Sequence, residues 1–345
     1  MKIAMVKSVR GLALQVVGAL LVLAGIGLVA TIAHGLIDFR TAASRHGGEV
    51  IELTADAHPQ SGQHGYMARI VGIPEVIEAP HDPDFNLQVD APILIRHVEM
   101  FQWREIRIGG SVHYEMDWVD RPLDASRFEQ PHGHANPANF PIDGKRFDAG
   151  LVQMGGFKLS PDILHAMPGS VRVSPQLSDL PANLAASFSR YRDYLVTSAR
   201  PGDPRLGDVR VSWEAVPLQQ LTIVARIDGD RMVPAAGAAD GKGLDVEVGN
   251  VPLLDVYPDL PIPPEFVLAK RILSLLLAAL GVFLLGSRQP VRGDLLLAAA
   301  VASLVVGSVA SVLWVGGDRQ TLLGWLAVAL LGLLGTTWRL KRRPA

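Results

Sequence analysis

The sequence predicts an integral membrane protein: four transmembrane α-helices, one N-terminal and three C-terminal, with a large mainly β, α+β extramembrane domain between the first and second. Three observations carry this. The 345-residue chain is 49% hydrophobic and only 19% charged, against roughly 25% charged in average soluble domains. The missing charge is concentrated at the two ends, in runs long enough to cross a bilayer. Between them lies a stretch of ordinary polarity with period-two runs of strand type.

The first run, residues 11–33, holds no formal charge, and Gln15 is its strongly polar side chain. About 20 apolar residues at ~1.5 Å each cross the hydrocarbon. A secretory signal has a shorter apolar core of ~7–15 residues and a small-x-small cleavage site, so this run reads as an uncleaved anchor. It is placed at 11–36 behind a short cytoplasmic N-terminus, 1–10. Three more spans are placed at 266–287, 294–316 and 321–338. Lys270 and Arg271 fall in the opening turn of the second span, where aliphatic stems let the charges reach back to the interface.

Cytoplasmic flanks hold the excess of Lys and Arg. Lys2, Lys7 and Arg10 precede span one, Arg288 and Arg292 lie between spans two and three, and Arg339, Lys341, Arg342 and Arg343 fill the tail, 339–345. Four spans with both termini inside put all three groups on one side, which leaves residues 37–265 on the outer or lumenal face. Lys270, Arg271 and Arg319 oppose this orientation and are outnumbered.

Within the middle domain, residues 112–118 alternate, with Val112, Tyr114, Met116 and Trp118 on one face and His113, Glu115 and Asp117 on the other. Gly109 and Gly110 supply a two-residue hairpin turn. That register sets Phe101 opposite Trp118, Trp103 opposite Met116 and Arg104 opposite Glu115, with the apolar pairs expected to carry more stability than the ion pair. Further strands are expected at 49–53, 66–73, 208–213, 221–227 and 244–248. Helical spacing of Leu184, Phe188, Tyr191 and Leu195 predicts a helix over 180–195, and the Pro- and His-rich stretch 131–141 reads as an ordered loop.

A net charge of −2 removes bulk electrostatic attraction to nucleic acid, so no nucleic-acid partner is expected. Zero cysteines exclude disulfides, thiolate catalysis and cysteine-based metal sites.

Several runs carry a resemblance: residues 96–103 (RHVEMFQW), 133–137 (GHANP), 156–160 (GFKLS), 207–213 (GDVRVSW), and 224–226 (VAR) through Val233-Pro234. Together, in this order and within one N-terminal span, a large domain and three C-terminal spans, they resemble the transmembrane protein 43 family, also called LUMA. The resemblance marks Arg96, His97, Glu99, Gln102, Trp103, His134, Asn136, Pro137, Gly207, Asp208, Arg210, Ser212, Arg226 and Pro234 as family-motif positions. It implies an organiser of membrane-protein complexes through self-association and partners, with no accepted enzymatic activity. Animal members reside in the endoplasmic reticulum and inner nuclear membrane with emerin and lamins as partners. The compact, short-looped chain resembles a bacterial member, for which those contacts are not expected and the scaffold role is.

Candidate chemistry is sparse. His132 and His134 with His113 or His165 offer imidazoles for a metal, but a loop containing Pro131 and Pro137 gives no fixed ligand geometry, and hydrogen bonds that shape the loop are the expected use. His97 and Glu99 share a strand face as a base and its orienter would, and as any polar couple on an exposed strand does. Ser160 before Pro161 reads as a helix N-cap and lacks the GxSxG context of a nucleophile. Asp203, Gly207 and Asp208 suggest a turn and lack the regular oxygen ligands of a calcium loop. No catalytic residue, metal or cofactor is assigned.

The spans offer small faces: Ser303, Gly307 and Ser311 in span three, for helix packing and interhelical hydrogen bonds, with Leu304 facing elsewhere. Ser274, Ala278 and Gly281 line one side of span two, and Gly324 and Gly332 lie in span four. The expectation is a non-enzymatic scaffold or assembly protein of the bacterial inner membrane with a periplasmic central domain. Its partners are the bilayer, further copies of itself and other membrane proteins. The alternative is a lipid-handling enzyme or ligand sensor with a site between the outer domain and the membrane.

Overall fold

In the computed structural model, residues 2–176, 180–286 and 294–342 are described, with side chains from residue 12 onward. Arg288, Arg292 and Arg343 of the basic flanks lie outside the described residues, as do the side chains of Lys2, Lys7 and Arg10. The chain forms two compact units, Met1–Ala43 with Tyr257–Ala345, and Ser44–Val256.

The first unit holds four helices long and apolar enough to cross a membrane: α1 (Lys2–Arg45), α5 (Val267–Leu285), α6 (Leu295–Leu313) and α7 (Arg319–Lys341). At ~1.5 Å per residue α1 extends about 66 Å, well past the expected end at 36. The stop comes at Gly47 and Gly48, both with left-handed φ, a conformation that glycine adopts without steric cost. Helix α7 likewise continues through Arg339 and Lys341, placed in the tail by the sequence reading. Asp294 and Asp318 cap α6 and α7, accepting from the Leu297 N–H and from the Gln320 and Thr321 N–H groups. Arg339 Nε also donates to Asp294 at 2.8 Å.

Small residues set the helix crossings. Ser274, Ala278 and Gly281 are the buried positions of α5, and they meet glycines of α1. A Cβ on Gly25 would stand 2.6 Å from the Ser274 carbonyl oxygen, and one on Gly18 2.7 Å from that of Gly281. Between α6 and α7, a Cβ on Gly307 would stand 2.7 Å from the Ala329 nitrogen, while one on Gly332 would overlap the Leu304 nitrogen. Leu304 therefore lies at the crossing, not on another face as expected. Gly307 and Ser311 are buried and Ser303 is half-buried. The Ser311 hydroxyl donates to the Gly307 carbonyl of its own helix at 2.7 Å, so the expected interhelical bond is an intrahelical one. Gly324 has open space beside it and takes no part.

The second unit contains two large sheets. The first orders β1 (Val50–Leu53), β2 (Met67–Gly72), β15 (Leu221–Asp228), β16 (Arg231–Val233), β10 (Phe157–Leu159), β9 (Leu151–Met154) and β3 (Glu75–Glu78), with β17 (Asp245–Val248) also on β15. The second orders β12 (Ser189–Tyr191), β13 (Tyr194–Val196), β14 (Val209–Ala215), β6 (Ile93–Ile108) and β7 (Ser111–Val119); β11 (Val171–Val173) also pairs β14 and β8 (Lys145–Asp148) also pairs β6. A short pair, β4 (His81–Asp82) and β5 (Leu87–Gln88), stands apart.

Strand alternation sends successive residues of β6 into different cores. Ile93 joins the core of the first sheet with Ile70, Phe157 and Ile223. Leu94, Val98 and Met100 join the core of the second, with Phe85, Leu195 and Trp213. Helix α2 (Pro161–Ala166) starts at Ser160 as expected, but the serine side chain makes no capping bond, and its buried Oγ has no hydrogen-bond partner.

The helix expected over 180–195 is cut short. Helix α3 (Ala182–Ser187) ends at Phe188, and the hairpin β12–β13 follows, turning at Arg192 with φ +56°. Leu184, Phe188 and Leu195 still reach one core, two from the helix end and one from a strand, so a spacing that suits one long helix is satisfied by two elements.

The β6–β7 hairpin turns at Gly109 and Gly110, both at positive φ, and pairs Phe101 with Trp118, Trp103 with Met116 and Arg104 with Glu115. Its apolar face is less buried than expected: Met116 is 40% exposed and Trp118 is half-buried. Arg104 favours Asp117, at 2.7 Å, over Glu115, at 3.9 Å. Trp118→Ala should therefore cost about 2 kcal/mol, from partial burial, ring contacts and a cation above it. Glu115→Ala should cost well under ~1 kcal/mol. Thermal melting of both variants in detergent checks this, and equal losses would contradict the packing.

Candidate functional site

The outer face of the second sheet carries an open groove of about 970 Å³. Its floor comes from β6 and β14, whose register sets His97 opposite Ser212 and Glu99 opposite Arg210. Ile95, on the same face, packs on the core of the first sheet, so the face passes from core to groove within two residues.

Arg210 is the centre of the floor. Its Nε and Nη2 donate to the two Glu99 oxygens at 2.5 and 2.8 Å, a bidentate pair with fixed orientation. The guanidinium carbon lies 4.8 Å from the Trp118 ring centre and 4.7 Å from that of Tyr194. The Tyr194 hydroxyl accepts from Arg172 at 3.2 Å. That hydrogen bond holds Arg172 above its ordinary pKa, with the partial charge of the phenol oxygen as second cause. Glu214 accepts from the Ser170 hydroxyl at 2.7 Å and faces His97 Nε2 at 3.5 Å. His97 and Glu99 thus turn to different partners and form no base–orienter couple.

One wall is the loop after β7, latched to the hairpin by side chains. Gln102, fully buried, donates to the Arg121 carbonyl and accepts from the Leu123 N–H. Asn136 accepts from the Trp103 N–H at 2.8 Å and donates to the Trp103 carbonyl at 2.9 Å. These bonds stand in for a strand partner just where β14 ends, the last backbone pairs being Phe101 with Asp208 and Gly207. Gly207 takes φ +86°, and a Cβ there would touch Pro137. Asp208 accepts from the Arg205 N–H.

His134 stacks on Tyr114 at 3.9 Å, meets Trp103 edge-on at 4.8 Å and bonds the Gln130 carbonyl. Its use is to shape the loop. Glu105 accepts from the Glu129 N–H and the Tyr114 hydroxyl. The Glu129 N–H holds its carboxyl below the ordinary value, against burial and with help from Tyr114.

The structure thus brings His97, Glu99, Arg210 and Ser212 into the groove, while Gln102, Trp103, His134, Asn136, Pro137, Gly207 and Asp208 lie outside its lining, in the bonds and turns that support the loop. Arg226 and Pro234 lie elsewhere, in and after strands of the first sheet. His113 and His132 are exposed and His165 pairs with Asp148 at 2.7 Å. Among the described residues no three His, Asp or Glu stand together as a metal would require.

Arg96 points the other way, into the second core. It donates to Asp82 and Asp84, each at 2.8 Å, and to the Asp143 carbonyl at 3.0 Å. Asp82 in turn accepts from Trp213 Nε1 at 2.9 Å. Asp82 and Trp213 were not foreseen in this role. The signal was a charged residue at the buried phase of β6, between Leu94 and Val98, which demands a buried carboxylate.

A family model described as Transmembrane protein 43 matches residues 100–315, which includes Arg210 and Ser212 and begins just after Arg96, His97 and Glu99. Transmembrane protein 43 of Homo sapiens is 27% identical over 192 residues, covering 49% of this chain and 47% of the relative. The Drosophila melanogaster homolog is 26% identical over 216 residues, covering 57% and 53%. The chain spans about half the length of the curated relatives it matches. No solved structure matches. With the family model covering well over half of its residues, and one apolar helix before and three after a mixed-sheet unit in the sequence, the chain belongs to the transmembrane protein 43 family.

Proposed function

We propose that this membrane protein is a non-enzymatic scaffold that assembles membrane-protein complexes, itself included, through the groove of its extramembrane unit. The observation that supports this reading is how the groove's charges are engaged. Glu99 is bound twice by Arg210, Arg210 is held between two rings, and Glu214 is held by Ser170. A carboxylate bound bidentate and a guanidinium held between rings are fixed in place, and a fixed pattern of charges and aromatic rings suits recognition of another protein.

The test is a photo-crosslinking amino acid at Asp120, an exposed residue lining the groove, activated in native membranes. Discrete adducts with membrane proteins, or with a second copy of the chain, are the expected result. Adducts with lipid alone would overturn the reading in favour of lipid handling.

The same proposal places residues 37–265 outside the cytoplasm, in the periplasm of a bacterial cell. A cysteine is best introduced at Ala236, exposed and in a turn, because the open glycines there, Gly237 and Gly241, have φ +78° and +73° and would be strained by a side chain. Ala236→Cys should react with a membrane-impermeant thiol reagent in intact cells with a permeable outer membrane. Reaction only after inner-membrane lysis would reverse the topology.

A further inference from the structure

Arg271 is the fifth residue of α5, about 6 Å past its start. The helix has 19 residues, about 28 Å against a hydrocarbon core of ~30 Å, so it has no spare length that would lift Arg271 clear of the bilayer. The side chain is half-buried within its own unit. Its guanidinium lies 5.7 Å from the ring centre of Trp325, a buried residue of α7. Among the described residues no carboxylate lies within ion-pair distance of it; burial weighs on its charge first and the like charge of Arg40 second. Arg40 is engaged by Asp318 at 3.7 Å and lies over Trp314.

A partly desolvated cation with no carboxylate partner is costly unless an anion completes the site. At the depth of the first turn of α5, the anion at hand is the phosphate of a membrane lipid, and the planar guanidinium fork matches phosphate oxygens. The surroundings suit the rest of such a molecule. Phe266 and Leu268 are 75% and 71% exposed, and Ile272, one turn on, is also exposed. These residues give acyl chains an apolar surface next to the charge, which a free phosphate ion would leave bare.

We propose that Arg271 binds the phosphate of a phospholipid in the leaflet at the N-terminal end of α5. The site belongs to the membrane unit and is independent of the groove's use.

The test uses the full chain. In native mass spectrometry from mild detergent, wild-type protein should retain phosphatidylglycerol, and Arg271→Met should retain roughly tenfold less, as loss of a charge-assisted contact implies. Equal retention would overturn the proposal. A second measurement guards against a variant that fails to fold: the wild-type protein is melted in nanodiscs of phosphatidylglycerol and in nanodiscs of a neutral galactosyl diacylglycerol. A higher melting temperature in the phospholipid is expected, and equal temperatures would overturn the proposal. If inorganic phosphate in the neutral nanodiscs stabilises the protein as well as the phospholipid does, the site is for a free anion and the lipid assignment fails.

Discussion

Asp82→Ala should destabilise the extramembrane unit by about 3–5 kcal/mol, the range for removing one partner of a buried ion pair. Asp82 is fully buried. One of its oxygens accepts from Arg96 and from the Asp84 N–H, and the other from Trp213 Nε1. Alanine would leave Arg96 with the exposed Asp84 as its carboxylate partner, between the rings of Phe85 and Phe147. It would also strand an indole N–H in the core, itself a loss of ~1–3 kcal/mol that overlaps with the first. Asp82→Asn keeps an amide oxygen for one of these donors and should lose roughly half as much. Tryptophan fluorescence during denaturant unfolding of the full chain in detergent reads both variants. A loss under about 1 kcal/mol for Asp82→Ala would mean that the core does not depend on this network.

The sequence made the local features of the fold legible and the long-range ones less so. Gly109-Gly110 and the alternation after it were enough to set the hairpin register, because a two-residue turn leaves one pairing that keeps aromatic residues opposite one another. The four apolar runs were legible because a bilayer imposes a minimum length. Helix ends were not, since helix α1 continues beyond the hydrocarbon until Gly47 and Gly48 stop it. The region 180–195 misled because Leu184, Phe188 and Leu195 share a core, and spacing alone does not say by which elements they arrive.

At the site, Arg210 was marked only by family resemblance, and Glu99 by that and by sharing a strand face with His97. Their union across 111 positions of sequence follows from the pairing of β6 with β14, which no local pattern encodes. Trp118 was set by its alternation on the apolar face of the hairpin, opposite Phe101. Its ring serves as a platform for Arg210, because the outer face of the sheet opens into the groove where the core of the first sheet ends.

In the membrane unit, Gly307→Leu should lower stability by at least about 3 kcal/mol, at the severe end of overpacking. A Cβ at this position would stand 2.7 Å from the Ala329 nitrogen and 3.0 Å from its Cα, so the clash is with backbone, which no rotamer change relieves. The helices would have to separate, and with them the contacts around Gly332, where α7 meets Leu304 and Ala300 of α6. Packing of this kind holds membrane helices together, because lipid offers apolar side chains as good a solvent as a neighbouring helix does. The control is Gly324→Leu, where nothing lies within 4 Å of the new Cβ and the gain in helix propensity is ~0.8–1 kcal/mol. Thermal melting in mild detergent should therefore fall steeply for the first variant and hold or rise for the second. The crossing is formed by two helices of one chain, so the loss for Gly307→Leu should persist in the monomeric fraction after size separation. A variant that melts normally as a monomer and loses only its oligomer would show that Gly307 packs between copies of the chain.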